Sequence, residues 1–232
     1  MNVFKKQSPK GEETRERIYG AALALFRERG FEAATMRDIA AAAGMSLGAA
    51  YHYFPSKDAI VLAYYEEISH ETERRVRDAL GGVGSLRERL RIPFHTKLDI
   101  VQADRPLLGA LVRFTGQPDH PLSFLGPATR QLRQRNMALF IEALADTALP
   151  DDTEVLAPAA LWSLEMGMLL YFLYDSSPRQ QRTRRLVDGS VDLFIAALKL
   201  NRLPGFGVVR RKVRAILTDA DILPALATQE AQ

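Results

Sequence analysis

The chain has 232 residues, 47% of them hydrophobic, enough to bury a substantial core in one or two domains, and a formal net charge of +3 with a sequence pI of 9.2. This mildly basic balance permits nucleic-acid binding without demonstrating it, and the absence of cysteine excludes disulfides, thiolate catalysis and zinc-thiolate sites. The N-terminal residues lack the apolar run of a signal peptide, and no apolar stretch is expected to reach the roughly 18 residues that span a bilayer, so the expected compartment is the cytoplasm.

Residues 1–13 carry Lys5, Lys6 and Lys10 beside Pro9 and Gly11, a composition that disfavours regular structure and reads as a flexible basic arm. Ile18, Ala22, Leu25 and Phe26 then form the apolar face of a first helix, ended by Gly30 with Phe31 packing back. A short second helix follows Thr35. Its buried stripe is Met36, Ile39, Ala40 and Ala43, and Gly44 supplies the left-handed residue of its C-terminal turn. Ser46 caps a third helix, in which Ala50 and Phe54 face back toward the second. Ala40 and Ala50 are small enough for the two axes to cross closely. The pattern is a helix-turn-helix.

The outward side of this hairpin is suited to DNA. Thr35 caps the second helix, and Arg37 points away from the apolar stripe with donors for a phosphate or a guanine edge. After the Ser46 cap, Leu47, Gly48 and Ala49 open the third helix where a major groove would meet it. Gly48 and Ala49 allow close backbone approach, and Leu47 suits a thymine methyl. Tyr51, His52 and Tyr53 supply donors for phosphate oxygens, and Lys57 adds a charge at the start of the next helix.

These residues carry a resemblance to a known family. Thr14-Arg-Glu-Arg-Ile18, Ala21-Ala-Leu-Ala-Leu-Phe26, Gly30, Phe31, Thr35-Met-Arg-Asp-Ile-Ala40, Gly44, Ser46, Gly48, Tyr51-His-Tyr-Phe54 and Pro55-Ser-Lys57 together resemble the DNA-binding module of TetR-family transcriptional regulators. Met45 stands where the family often has valine, and Ala50 where it often has a bulkier apolar residue; both departures bear on packing. The resemblance implies a ligand-responsive regulator, a repressor that a small, largely apolar effector releases from a pseudo-palindromic operator. Because Leu47, Gly48 and Ala49 offer no side-chain hydrogen bonds, base reading falls to Arg37, apolar contacts and DNA shape.

Beyond the head, a long connector helix is expected from about Ser56 to Leu80, broken by Gly81-Gly-Val-Gly84. The body reads as helices over 85–104, 105–115, 127–146 and 156–174, then one from Ser176-Ser-Pro178 to Leu203-Pro-Gly205, and a basic amphipathic helix over 208–217. The segment Leu161 to Tyr174 is apolar all round and needs cover on more than one side, which points to a helix from a second copy. The family resemblance implies that the last two long helices form such a four-helix interface. Dimerisation also suits a head whose two recognition helices read a pseudo-palindrome.

Glu165 is the lone charge of that run. Either it lines a small-molecule site, taking a polar or cationic ligand group with Trp162 or Tyr171, or it pairs with an arginine at the dimer seam. Phe94, Leu98, Phe114, Met137, Phe140 and Met166 are core candidates that would equally line a site for a largely apolar effector. Gly44-Met-Ser46-Leu-Gly48 matches a nucleophile elbow, but that motif needs a preceding strand and here follows an alanine-rich helix, so no enzyme activity is expected. His52, His70, His95 and His120 have no paired metal-ligand spacing, and His95 with Asp99 reads as a surface hydrogen bond; no metal and no cofactor are expected. The expected fold is therefore all-α: an N-terminal three-helix DNA-binding domain over 1–55, followed by an antiparallel helical bundle over 56–232 for effector binding and dimerisation. The alternative is a helical ligand-binding or interaction protein that does not use DNA.

Overall fold

The computed structural model describes residues 9–200 and 206–219. Every regular element among them is a helix: α1 (Pro9–Arg29), α2 (Met36–Ala42), α3 (Leu47–Tyr53), α4 (Lys57–Leu80), α5 (Leu86–Val101), α6 (Arg105–Thr115), α7 (Arg130–Ala143), α8 (Asp151–Tyr174), α9 (Gln181–Leu200) and α10 (Phe206–Asp219). The expected elements are present. Pro9 to Glu13, expected as part of an irregular arm, are instead the first turn and a half of α1; proline is tolerated at a helix start because its missing N–H has no intrahelical partner there. The rest of the arm, including Lys5 and Lys6, lies outside the described residues. Asp151 to Thr153, expected to interrupt, already belong to α8, because Pro150 sets the entry and Asp151, Asp152 and Glu154 suit the positive end of the helix.

Two compact units divide the chain. Among the described residues the first comprises 9–65 together with 104–123, and the second comprises 66–103 together with 124–200 and 206–219.

In the first unit, Ile18, Ala22 and Phe26 of α1 meet Ile39 of α2, Ala50 of α3, Ile60 and Val61 of α4 and Leu111 of α6 in one buried core. Gly30 has φ of 85° and closes α1 through its N–H to Phe26 O at 3.1 Å. Phe31 then turns back edge-on to Phe26, with ring centroids 5.2 Å apart. Helix α6 joins this unit at both of its ends. At its start, Asp104 accepts from Arg27 Nε and Nη2 at 2.7 and 3.0 Å and from the Tyr64 hydroxyl at 3.0 Å. The Arg27 hydrogen bonds hold the Asp104 carboxyl below its usual range against the opposing effect of burial. At its end, Arg113 pairs with Glu32, and Phe114 sits edge-on to Phe31 at 5.6 Å.

In the second unit α7 packs on α8, α5 on α7 and α9, and α8 on α9 and α10. Its core holds Leu90, Phe94, Leu98, Phe140, Leu161, Phe172 and Val191. Pro93 and Pro158 lie inside α5 and α8, buried within helices that continue through them. Charged residues four apart bind α5 to α9. Arg87 donates to Asp192 at 2.5 and 2.9 Å, Arg91 and His95 reach Asp188 at 2.6 and 2.8 Å, and Arg184 reaches Asp99 at 2.5 Å. The expected His95–Asp99 hydrogen bond is replaced by one between each residue and the antiparallel partner helix, His95 with Asp188 and Asp99 with Arg184. Burial pushes the Asp188 carboxyl up, and the bonds from His95 and Arg91 outweigh it and hold the group down.

Helix α8 also corrects the expectation about apolar length. With 24 residues and a mean hydropathy of 1.5 over its most apolar window, it is long and apolar enough to cross a membrane. The helix owes that composition to packing on α7, α9 and α10 together.

Candidate nucleic-acid interface

The hairpin geometry follows from two caps and one glycine. Thr35 opens α2 with a reciprocal capping box: Asp38 N–H donates to Thr35 Oγ1 at 3.2 Å, and Thr35 N–H donates to Asp38 Oδ2 at 3.0 Å. The Thr35 hydroxyl and N–H together hold the Asp38 carboxyl down. At the other end Gly44, with φ of 65°, completes a Schellman turn: its own N–H donates to Ala41 O at 3.0 Å and Met45 N–H donates to Ala40 O at 2.8 Å. Ser46 Oγ then accepts from Ala49 N–H at 3.2 Å and starts α3. Ala40 and Ala50 are both buried at the crossing of the two helices, as expected from their size.

Outward from this frame, Arg37, Ser46, Gly48, Tyr51 and His52 are exposed, and Leu47, Ala49 and Tyr53 are half-buried. Tyr51 keeps 48% of its surface open. A Cβ built on Gly48 meets nothing within 4 Å, so no contact inside the chain requires glycine there, and the helix backbone lies open to an approaching partner. The His52 and Tyr53 rings stand edge to face at 5.3 Å, which limits their freedom on the outer side of α3. Arg37 makes no hydrogen bond within the described residues, leaving its guanidinium donors available.

Lys57 is placed differently from the other nine. Its Nζ donates to the carbonyls of Phe31 and Glu32 at 2.6 and 3.2 Å and stands 4.6 Å from the Phe31 ring centroid. Burial draws its pKa down, opposed by Asp58 and Glu32. Two of its three N–H groups are thereby engaged in holding the start of α4 against the turn after α1. Sequence reasoning also passed over Arg17 and Arg15. Arg17 Nη2 donates to Ala43 O at 2.7 Å, closing the last turn of α2, and Arg15 stacks 4.8 Å above the Phe54 ring. Both follow Thr14 on α1, and a basic residue within reach of a helix C-terminus was the available signal.

The candidate effector residues separate into two groups. Phe94, Leu98, Met137, Phe140, Trp162 and Glu165 are buried in the second unit, and Met166 is half-buried there. Phe94 and Phe140 lie 5.1 Å apart. Phe114 belongs to the first unit instead, stacked on His120 at 4.7 Å and edge-on to Phe31. Glu165 is 3% exposed within its own chain. Burial pushes its carboxyl up, with the Lys97 charge opposing. Tyr171, offered as its companion, is exposed. Among the described residues no group of three or more His, Asp or Glu side chains could hold a metal ion.

The outer faces of α8 and α9 are apolar. Leu170, Tyr171 and Tyr174 on α8 and Leu186, Leu193 and Leu200 on α9 are all exposed, Tyr174 and Leu193 by 75% and 73%. A groove of about 310 Å³ lined by Leu156, Ala160, Phe194, Ala197 and Val209 runs among α8, α9 and α10.

Two family models match the chain. The model for bacterial regulatory proteins of the tetR family covers residues 18–64, and that for the tetracyclin repressor-like C-terminal domain covers residues 89–211. An uncharacterized HTH-type transcriptional regulator of Mycobacterium tuberculosis, MT1294, is 30% identical over 151 residues, 65% of this chain and 71% of its own. A tetR-family transcriptional regulator from Streptomyces coelicolor superposes with a TM-score of 0.63 at 26% identity, covering 88% of this chain and 89% of its own. Thermus thermophilus FadR, a TetR-family repressor solved with lauroyl-CoA, reaches a TM-score of 0.55 at 24% identity, covering 82% and 95%.

Proposed function

Because the chain belongs to the TetR family of bacterial regulatory proteins, we propose that it binds a pseudo-palindromic operator as a homodimer and releases it when a small molecule occupies the second unit. That the protein is a transcriptional regulator follows from its family. The observation that carries the DNA-reading assignment is the rigid two-cap, one-glycine hairpin presenting Arg37, Gly48, Tyr51 and His52 outward. Tyr51, His52, Tyr53 and the Thr35 and Ser46 caps fix register on the phosphates, Arg37 and Leu47 meet base edges, and Gly48 and Ala49 admit the backbone into the groove. Lys57 acts chiefly as a positioning residue, since its ammonium already holds two carbonyls.

Ligand-responsive repression is typical of the family, and T. thermophilus FadR, solved with lauroyl-CoA, is one such neighbour. In this chain the exposed apolar faces of α8 and α9 support a second copy as the dimer partner. The effector acts by binding better to the arrangement in which the paired recognition helices no longer match successive major grooves. Non-enzymatic action and a cytoplasmic setting belong to the same reading. Its test compares Arg37→Ala and Tyr51→Phe on operator and scrambled duplexes. Tyr51→Phe is expected to weaken both alike, and Arg37→Ala to weaken the operator more, by roughly 1–3 kcal/mol. Equal weakening by Arg37→Ala reduces that residue to a backbone contact.

A further inference from the structure

Helix α10 carries a pattern that the regulator reading does not use. The segment 206–219 holds Arg210, Arg211, Lys212 and Arg214 against Asp219 alone. Its aliphatic residues are regularly placed as well. Val209, Val213 and Ile216 recur at spacings of four and three, which sets them on one side of the helix, and Lys212 stands one turn from both Val208 and Ile216. Val208, Val209, Val213 and Ile216 are all exposed, Val208 and Ile216 by 63% and 57%. The groove beside Val209 leaves further apolar surface open where this helix meets α8 and α9.

The helix is held lightly to its own unit. It packs on α8, and Arg214 Nη1 donates to Asp152 Oδ1 at 2.7 Å. Arg211 and Lys212 are exposed, and among the described residues neither takes part in an ion pair.

Charge decides what covers such a face. A second copy offers the wrong sign: on α9 the exposed charged residues outside the ladder to α5 are Arg182, Arg185 and Lys199, and a symmetric pairing of α10 would gather the same cations together. Nucleic acid is anionic but makes no use of four open aliphatic side chains. A bilayer of anionic lipid satisfies both halves of the pattern. Its head groups meet the cations, the aliphatic stripe enters the boundary with the acyl chains, and Lys212, beside that stripe, can extend its ammonium back to the head groups.

We propose that α10 docks the protein on an anionic lipid surface, lying in the plane of the head groups. This goes beyond the regulator reading and does not depend on it.

Flotation of the full-length protein with vesicles tests the assignment. Vesicles of phosphatidylglycerol and phosphatidylcholine in equal parts are compared with phosphatidylcholine alone, at low and high salt. Binding to the anionic vesicles is expected to be at least about twenty-fold tighter and to weaken with salt, since each basic residue near such a surface is worth about five-fold. Arg211→Gln with Lys212→Gln is expected to lose about twenty-fold. Val213→Asn with Ile216→Asn keeps the charge and is expected to lose about ten-fold. Arg130→Gln, which removes an exposed cation at the start of α7, should stay within about two-fold. Thermal melts establish that each variant is folded, and the comparison of the two vesicle types needs no variant. Equal binding to both vesicle types, binding to neither, or binding that the α10 substitutions leave unchanged overturns the proposal. If the parent ignores vesicles and Val213→Asn with Ile216→Asn lowers its self-association in sedimentation velocity, the face belongs to a second copy and the proposal fails. If the parent ignores vesicles and Arg211→Gln with Lys212→Gln weakens binding to a scrambled DNA duplex, it fails in favour of nucleic acid. The regulator reading is judged separately, by operator binding.

Discussion

Asp104 is where removal of a few atoms should disturb the first unit most. Its carboxylate joins three helices, accepting two hydrogen bonds from Arg27 on α1 and one from Tyr64 on α4 while standing at the entry to α6. Asp104→Ala leaves the Tyr64 hydroxyl without its acceptor in a buried position, at a cost of roughly 1–2 kcal/mol. It also unpairs Arg27, whose half-exposed side chain can turn to water, so that loss is held to about 1 kcal/mol. The expected total is about 2–3 kcal/mol, read as a fall in the urea midpoint of the helical circular dichroism signal with little change in slope. A double-mutant cycle of Asp104→Asn with Arg27→Met isolates the ion pair and is expected to give a coupling of about 1 kcal/mol. The pH dependence has a definite sign. The Asp104 carboxyl is held below its unfolded value, so its contribution is complete above the ordinary carboxylate range near 4 and is lost as pH falls through the lower folded value. A coupling near zero, or an Asp104→Ala variant as stable as the parent at pH 7, would refute the view that this carboxylate ties α6 to α1 and α4.

The turn glycine and the apolar faces give further outcomes. Gly44→Ala forces a side chain into the left-handed region at φ 65° and is expected to destabilise the head by about 1–2 kcal/mol, seen in thermal melts, whereas Gly48→Ala, with open space around its Cβ, should leave stability within about 0.5 kcal/mol and act on DNA binding instead. Leu193→Glu places a charge on the exposed α9 face and should convert the proposed dimer to monomer in sedimentation velocity; a variant as dimeric as the parent would move the proposed interface elsewhere. Asp188→Asn weakens the α5–α9 ladder, and because Asp188 is held low by His95 and Arg91, the difference from the parent should be present at neutral pH and vanish on acidification below the carboxylate range.

The parts of this protein that were readable from sequence are those whose physics is local. Gly30 and Gly44 stand where a helix must turn through positive φ, and the Met36, Ile39, Ala40 stripe fixes the face of α2 within seven residues. Long-range assignments were less visible. Nothing near Phe114 announces that α6 packs with α1 and α4, because the Asp104 to Arg27 contact bridges 77 positions. The α5–α9 ladder left a trace in the four-residue spacing of Arg87, Arg91, His95 and Asp99, but that spacing alone gives no partner until Arg184, Asp188 and Asp192 lie opposite. Glu165 was conspicuous as a lone charge, yet its counterpart Lys97 sits in a stretch that reads as an ordinary amphipathic helix. Lys57 resembles a surface cation in sequence because its two carbonyl acceptors come from a turn 25 and 26 residues earlier.

Operator recognition is the central property of the proposed regulator. Fluorescence anisotropy of the full-length protein titrated into duplex DNA from upstream of its own gene, beside a scrambled duplex and at several salt concentrations, tests it most directly. Tight binding to the first duplex only, weakening steeply as salt rises, is the predicted result. Equal and weak binding to this duplex and the scrambled control, repeated across a genomic library of duplexes, would contradict it.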